Sequence, residues 1–317
     1  MNKSLFVTLM LLFTVPLSAA GSPPVDVDMN LEQVSEHVYF VQGVAGVATD
    51  NAGFISNAGV IVTGAGVVVF DALGTPALSQ LLLEKIRKVT DEPVVRVIVS
   101  HYHADHIYGL QVFEDLDAEI LAPQGSEKYL ASEHARERLE DRRFTLAPWV
   151  NDDTRLVYPD QYLDEGMQVQ LGDVQFVVTV IGNAHSDGDL VMFVEPDRVL
   201  FSGDIIFEGR LPFLGDSNTR HWVKILQRME KEKLVALVPG HGGVAEKPNE
   251  AISLTRRYLV YLREKMGQAV EEFVPFSEVY DATDWSGFDD LPAFEETNRR
   301  NAYQVYLSME AEMLGGQ

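Results

Sequence analysis

Six consecutive residues, His101-Tyr102-His103-Ala104-Asp105-His106, hold four potential metal ligands directly after an apolar run, Pro93 to Ser100. The run is continuous rather than alternating, which is the pattern of a strand buried on both faces. Any fold for this chain must therefore bring a buried strand to an edge where polar side chains can gather. Histidines at i and i+2 on extended backbone project to the same side. Asp105 and His106 fall where a following helix begins, so they aim at a neighbouring point. One segment can thus feed two adjacent metal ions.

Three further candidates stand after apolar strands in the second half: His185 in GNAHSDGD, Asp204 in LFSGD and His241 in VPGHGG. Glycines flank each of them and permit tight backbone turns. Five of the eight histidines then share one explanation. His37, His134 and His221 are left over, and His37 and His134 read as surface residues. The chain has no cysteine, which excludes disulfides, thiolate catalysis, zinc-finger sites and iron–sulfur ligation. Its 48 acidic residues outnumber 25 Lys and Arg, for a formal charge of −23. Such a surface repels phosphate backbones and anionic lipids, so nucleic acid is not an expected partner.

Residues 1–20 read as a secretory signal peptide. Lys3 supplies the basic start, Leu5 to Leu17 the apolar stretch and Ser18-Ala19-Ala20 the cleavage site. The stretch is too short to span a membrane, which takes about 20 residues. An exported chain without cysteine points to a periplasmic location. Residues 21–30 read as a flexible lead-in.

Beyond it, Val38–Val41, Gly59–Thr63 and Gly66–Phe70 read as strands, and Thr75-Pro76 opens a helix as N-cap and first helical residue. Glu119–Leu121 is a further strand. Met167–Ile181 reads as a hairpin turning at Gly172-Asp173, and Leu190–Val194 with Val199–Ser202 as another. Trp222–Glu232 is a helix and Val235–Val238 a last strand. Strands come first and helices after in each half, so a four-layer αββα sandwich over residues 31–247 is the expected α/β architecture. From Pro248 to Gln317 the chain reads as a charged, helical C-terminal extension.

The set HxHxDH, His185, Asp204 and His241 resembles the metallo-β-lactamase superfamily over roughly residues 32–260. The resemblance implies the αββα sandwich with metals at one edge of the two sheets. It implies that His101, His103 and His185 bind one metal, that Asp105, His106 and His241 bind a second, and that Asp204 bridges them. Asp71, after the strand ending at Phe70, matches a family aspartate that fixes the metal loop through hydrogen bonds. Several true β-lactamases carry cysteine where this chain has Asp204, so the bridging carboxylate is closer to glyoxalase II and lactonases. The runs HSDGD (185–189), GRLPFLGD (209–216), PGHG (239–242) and NAYQVYLSME (301–310) are similar to exported SoxH-like proteins, also called quinoprotein relay system zinc metallohydrolases.

Nitrogen and carboxylate ligands without sulfur suit two Zn²⁺ ions first and Fe or Mn less well. The implied reaction is hydrolysis of an ester, thioester, lactone or amide by a metal-bound hydroxide, with Asp105 orienting it and carrying its proton. Arg210 can hold a substrate carboxylate or be a plain surface charge. Phe213 and Leu214 can wall the pocket or pack in the core. Tyr102 can face the pocket or pack beneath the helix. Arg299, Arg300 and Tyr303 can close over the cleft or, as the favoured reading, be structural residues of a helical cover. Two alternatives remain: a mononuclear iron persulfide dioxygenase using His101, His185 and Asp204, and a non-catalytic protein that docks on a periplasmic redox partner.

Overall fold

The computed structural model describes residues 23–215 and 217–315. The proposed signal peptide lies outside them. The first sheet contains β1 (Leu31–Gln33), β2 (Val38–Val41), β3 (Ala58–Val62), β4 (Val67–Phe70), β5 (Val94–Ile98), β6 (Glu119–Pro123) and β7 (Gln161–Leu163), side by side in chain order. The strands from β1 to β4 are antiparallel, and those from β4 to β7 parallel. The parallel connections carry the helices α1 (Pro76–Ile86), α2 (Ala104–Ile107), α3 (Leu110–Glu114), α4 (Gly125–Ala131) and α5 (Glu133–Thr145). The Thr75 hydroxyl caps α1 by accepting from the Leu78 amide, with Pro76 in the first turn.

The second sheet runs β12-β11-β10-β9-β8. Its members are β8 (Met167–Leu171), β9 (Val174–Gly182), β10 (Asp189–Val194), β11 (Val199–Phe207) and β12 (Ala236–His241). The β8–β9 hairpin turns at Gly172-Asp173, where Gly172 takes φ +53°. Helices α6 (Thr219–Met229), α7 (Pro248–Glu271), α8 (Phe276–Ala282) and α9 (Phe294–Met313) cover this sheet.

Three apolar layers hold the sandwich together. Between the sheets, Ile61, Phe70 and Ile98 of the first meet Phe176, Phe201 and Val238 of the second. Phe201 reaches so far across that a Cβ at Gly59 would lie 2.2 Å from its ring, which is why glycine stands there. Behind the first sheet, Val69 and Val97 pack on Leu78 and Leu82 of α1. Behind the second, Leu200 and Ile206 pack with Trp222 of α6, Leu259 of α7 and Val305 of α9. The result is the expected four-layer α/β sandwich with helices at its C-terminal end.

The structure differs from the sequence reading at β11, which runs past Ser202 to Phe207. Ser-Gly-Asp reads as a turn, but Gly203 at φ +49° forms a bulge, and the strand resumes its pairing with β12. Asp204 is therefore inside a strand, not after one.

Candidate metal centre

Strand β5 and its parallel neighbour β4 end at the same edge of the sandwich as β11 and β12 of the other sheet. That edge collects all seven candidate ligands. His101 and His103 leave β5 on extended backbone, and His103 stands at the N-cap position of α2, whose first turn carries Asp105 and His106. His185 stands on the loop between β9 and β10. Asp204 comes from β11 and His241 from the last position of β12.

The side chains converge as two neighbouring sets. His101, His103, His185 and Asp204 form the first, with donor atoms all within 4.8 Å of one another. His103 Nδ1 lies 3.0 Å from both His101 Nε2 and His185 Nε2. Asp105, His106 and His241 form the second. Asp105 Oδ2 is 3.5 Å from His106 Nε2 and 3.3 Å from His241 Nε2. Asp204 stands between them: its Oδ1 is 3.3 Å from His106 Nε2, and its Oδ2 is 3.4 Å from His185 Nε2 and 3.3 Å from His241 Nε2.

Hydrogen bonds on the far side of the rings fix which nitrogens face inward. The His106 Nδ1–H donates to Asp71 Oδ2 at 2.9 Å, and the His241 Nδ1–H donates to the Ile55 carbonyl at 2.7 Å. The Ser100 hydroxyl donates to Asp71 Oδ2 at 2.7 Å and accepts from His101 Nδ1 at 2.9 Å. Each Nδ1 thus carries a proton, and each Nε2 faces the cluster. His106 Nε2 and Asp204 Oδ1 are buried there without a hydrogen-bond partner among the described residues. Buried polar atoms turned on one another without a hydrogen bond are costly unless a cation lies between them. The residues present therefore fit a metal ion.

The electrostatics divide the two sets. Burial pushes His101 well below its ordinary value, His103 down to about 4 and His185 to about 3, so all three are neutral at pH 7. Burial opposes charge on His106 too, but Asp105, Asp204 and Asp71 outweigh it and hold His106 well above its ordinary value. His241 is raised to about 9 against burial by Asp204 and Asp105. Burial would raise Asp204, yet His241 and His106 hold its carboxyl well below the usual range.

Asp71 sits one step behind the ligands, with the Ser100 amide, the Ser100 hydroxyl and His106 all donating to it. Sequence reasoning missed two props of the opposite wall. The Ser56 hydroxyl donates to the Asp105 carbonyl, and the Asn57 side-chain amide donates to the carbonyls of Pro239 and Gly242 on either side of His241. Ser and Asn in a loop carry no sequence signal for such a role.

The cluster forms the floor of a cleft of about 540 Å³. Arg210 and Phe213 line it, and Arg300 of α9 stacks on the Phe213 ring at 4.9 Å. Arg210 is largely buried, and its Nε has no partner among the described residues. Leu214 does not join the wall but packs in the core behind the second sheet. Tyr102 touches the cleft, but its hydroxyl donates to the Val157 carbonyl at 2.9 Å and its ring is buried. Arg299 and Tyr303 stack on Phe276, away from the cluster, so Arg300 is the member of that trio that reaches the cleft. His37 pairs with Asp197 at 2.9 Å, and His221 donates to the Ile181 carbonyl. His134 is exposed, as read from the sequence, but it is exposed into the cleft.

The family model of the metallo-beta-lactamase superfamily matches residues 51–241, which contain every ligand candidate. The chain belongs to this superfamily. A metallo-beta-lactamase type 2 from Bacteroides fragilis is 21% identical over 246 residues, covering 76% of this chain and 90% of that protein. An acyl-coenzyme A thioesterase from Gallus gallus is 31% identical over 157 residues, 45% of this chain and 55% of the relative. Among solved structures, a stereoselective inverting sec-alkylsulfatase from Pseudomonas sp. superposes with a TM-score of 0.70 at 15% identity. That superposition covers 88% of this chain and 50% of the sulfatase. This superfamily chain is thus a metal-dependent hydrolase with its donor cluster at the sheet edge.

Proposed function

We propose that the protein is an exported, periplasmic hydrolase that holds two zinc ions and cleaves a carbonyl-type bond: an ester, thioester, lactone or amide, β-lactams included. The observation that carries this reading is the pair of donor sets, with Asp204 of the first reaching His106 and His241 of the second and Nε2 atoms turned inward. His101, His103 and His185 would hold one ion, and Asp105, His106 and His241 the other. A donor set of nitrogen and carboxylate oxygen without sulfur suits zinc. Bound zinc supplies a hydroxide at neutral pH and polarises a carbonyl.

The chain's own groups do the rest. Asp105 is the most exposed of the three second-set residues, with 23% of its side chain open, and it lines the cleft. From there it can orient a water molecule and take up its proton. Arg210, short of a partner at Nε, is placed to hold an anionic part of the substrate, and Phe213 offers an apolar face. Relatives named as a β-lactamase and an acyl-coenzyme A thioesterase are consistent with carbonyl chemistry. The complete second set weighs against a mononuclear iron dioxygenase built on His101, His185 and Asp204. The net charge of −23 suits a periplasmic redox partner with a basic face, which co-purification would reveal.

The test is the metal content of residues 21–317 purified from a periplasm, followed by a panel of ester, thioester, lactone and β-lactam substrates. Two zinc ions per chain with turnover on the panel is the expected result. One iron per chain with oxygen uptake on persulfide would overturn it. An Asp105→Asn variant that keeps its zinc should lose about 10²-fold or more of its turnover, the size of a general acid–base contribution.

A further inference from the structure

Part of the cleft wall is built by α4 and α5, and nothing in the metal chemistry uses it. On α5, residues 134, 138 and 142 are spaced at i, i+4 and i+8, which puts His134, Arg138 and Arg142 on one helical face. All three line the cleft. The apolar residues Ala135 and Leu139 point into the core instead, and the acidic residues Glu137, Glu140 and Asp141 are exposed. Like charges at this spacing destabilise a helix. The chain has acidic residues in excess, and elsewhere its arginines use them: Arg96 pairs with Glu119, Arg155 with Glu114, Arg263 with Glu312. Neither Arg138 nor Arg142 has a carboxylate at ion-pair distance among the described residues.

Two hydroxyls beside them are also unspent. Ser126 Oγ and Tyr129 Oη are buried, line the same cleft, and have no hydrogen-bond partner among the described residues. Ser126 is 2% exposed. Burial raises the Tyr129 hydroxyl, while Arg138 and Arg142 stand close enough to act against that rise. Two guanidinium groups and two hydroxyls facing one space, all donors and without a side-chain partner among the described residues, are complementary to an anion. Close packing holds this wall near the metal ligands: a Cβ at Gly125 would lie 2.4 Å from the Asp187 carbonyl oxygen of the His185 loop.

We propose that Arg138 and Arg142, with the Ser126 and Tyr129 hydroxyls, form an anion subsite, so that the substrate carries a carboxylate or tetrahedral oxyanion remote from the bond that is cut. That the anion belongs to a substrate rests on the hydrolase reading; the anion subsite itself does not.

Calorimetric titration of the metal-loaded protein with glutarate and with inorganic sulfate separates the two chemistries, since a planar carboxylate or a tetrahedral anion will bind more tightly. Expected is binding of at least one probe that weakens about tenfold or more in R138Q/R142Q at unchanged metal content, the loss of charge-assisted hydrogen bonds. Y129F, which retains the ring, should weaken it less. R136Q, on the outer face of α5, should leave it as in the parent. Equal affinity in the parent and R138Q/R142Q would place the anion on the metals or on Arg210 and overturn the proposal, as would no binding of either probe to the parent. A protein that binds the probes through Arg138 and Arg142 yet turns over no ester, thioester, lactone or β-lactam would sink the carbonyl-hydrolase reading and leave the anion subsite standing.

Discussion

Asp71 accepts three hydrogen bonds while its backbone sits at φ +64°, a region open to Asp and Asn at little cost and to most other residues at more. Its charge fixes the His106 tautomer and, through Ser100, that of His101. Asp71→Asn keeps the size and the backbone but offers His106 Nδ1–H a weaker, neutral acceptor. The fold should survive, and metal affinity should fall about 10–100-fold, read by chelator competition. The same residues predict how protons leave when metal enters. At pH 7 the first set is already neutral, with His103 near about 4 and His185 near about 3. His106 and His241 are protonated, His241 up to about 9. One metal equivalent should therefore load without proton release, and the other should expel up to two protons, measured by calorimetry in buffers of different ionisation enthalpy. In the metal-free protein the His241 ion pair stabilises the fold fully below its unfolded value of 6.5, and that contribution is lost as pH rises through about 9. Above that pH the proton release from His241 should vanish.

At the scale of elements, the ligand-bearing segments were legible because each combines an apolar strand with a polar end, and β3, β4, β5 and the β8–β9 hairpin follow their Val and Ile content. The three-residue strands β1 and β7 are too short to show a period. Helix α5 was invisible for another reason: its apolar side is reduced to Ala135 and Leu139, so its informative pattern is the cationic stripe, not a hydrophobic one. The glycines beside the ligands were read as turn formers, and Gly203 and Gly242 do take positive φ. Gly240 acts differently. A Cβ there would lie 1.9 Å from Asp204 Oδ1 and 2.8 Å from the Gly203 carbonyl carbon, so it lets β12 approach β11 at the ligand. Gly240→Ala should push Asp204 aside and cost about 1–3 kcal/mol, the usual penalty of overpacking. Denaturant unfolding and metal analysis of the same sample would check it: the variant should lose metal before it loses secondary structure.

For the whole molecule, the sequence reading divides a sandwich ending near residue 247 from a helical extension, and the packing bears on whether that extension can be removed. Trp222 and Leu226 of α6 share one core with Ile252, Leu259, Leu262 and Met266 of α7, all fully buried. Asn301 of α9 ties the cleft loop down, accepting from the Leu214 amide and donating to the Pro212 carbonyl. Glu312 receives both Arg220 of α6 and Arg263 of α7. Exposing just Trp222 and Leu226 forfeits roughly 3–6 kcal/mol at the usual value per large apolar side chain. That is a large part of the roughly 5–15 kcal/mol by which a folded domain is stable. A chain truncated after Lys247 should therefore fail to give a soluble, cooperatively unfolding protein, even with zinc supplied, because α6 and the outer face of β11 lose their cover. A truncated chain with a cooperative transition and two bound metals would mean that α7–α9 are an appendage and that β11, with Asp204 on it, is held by the sheets alone.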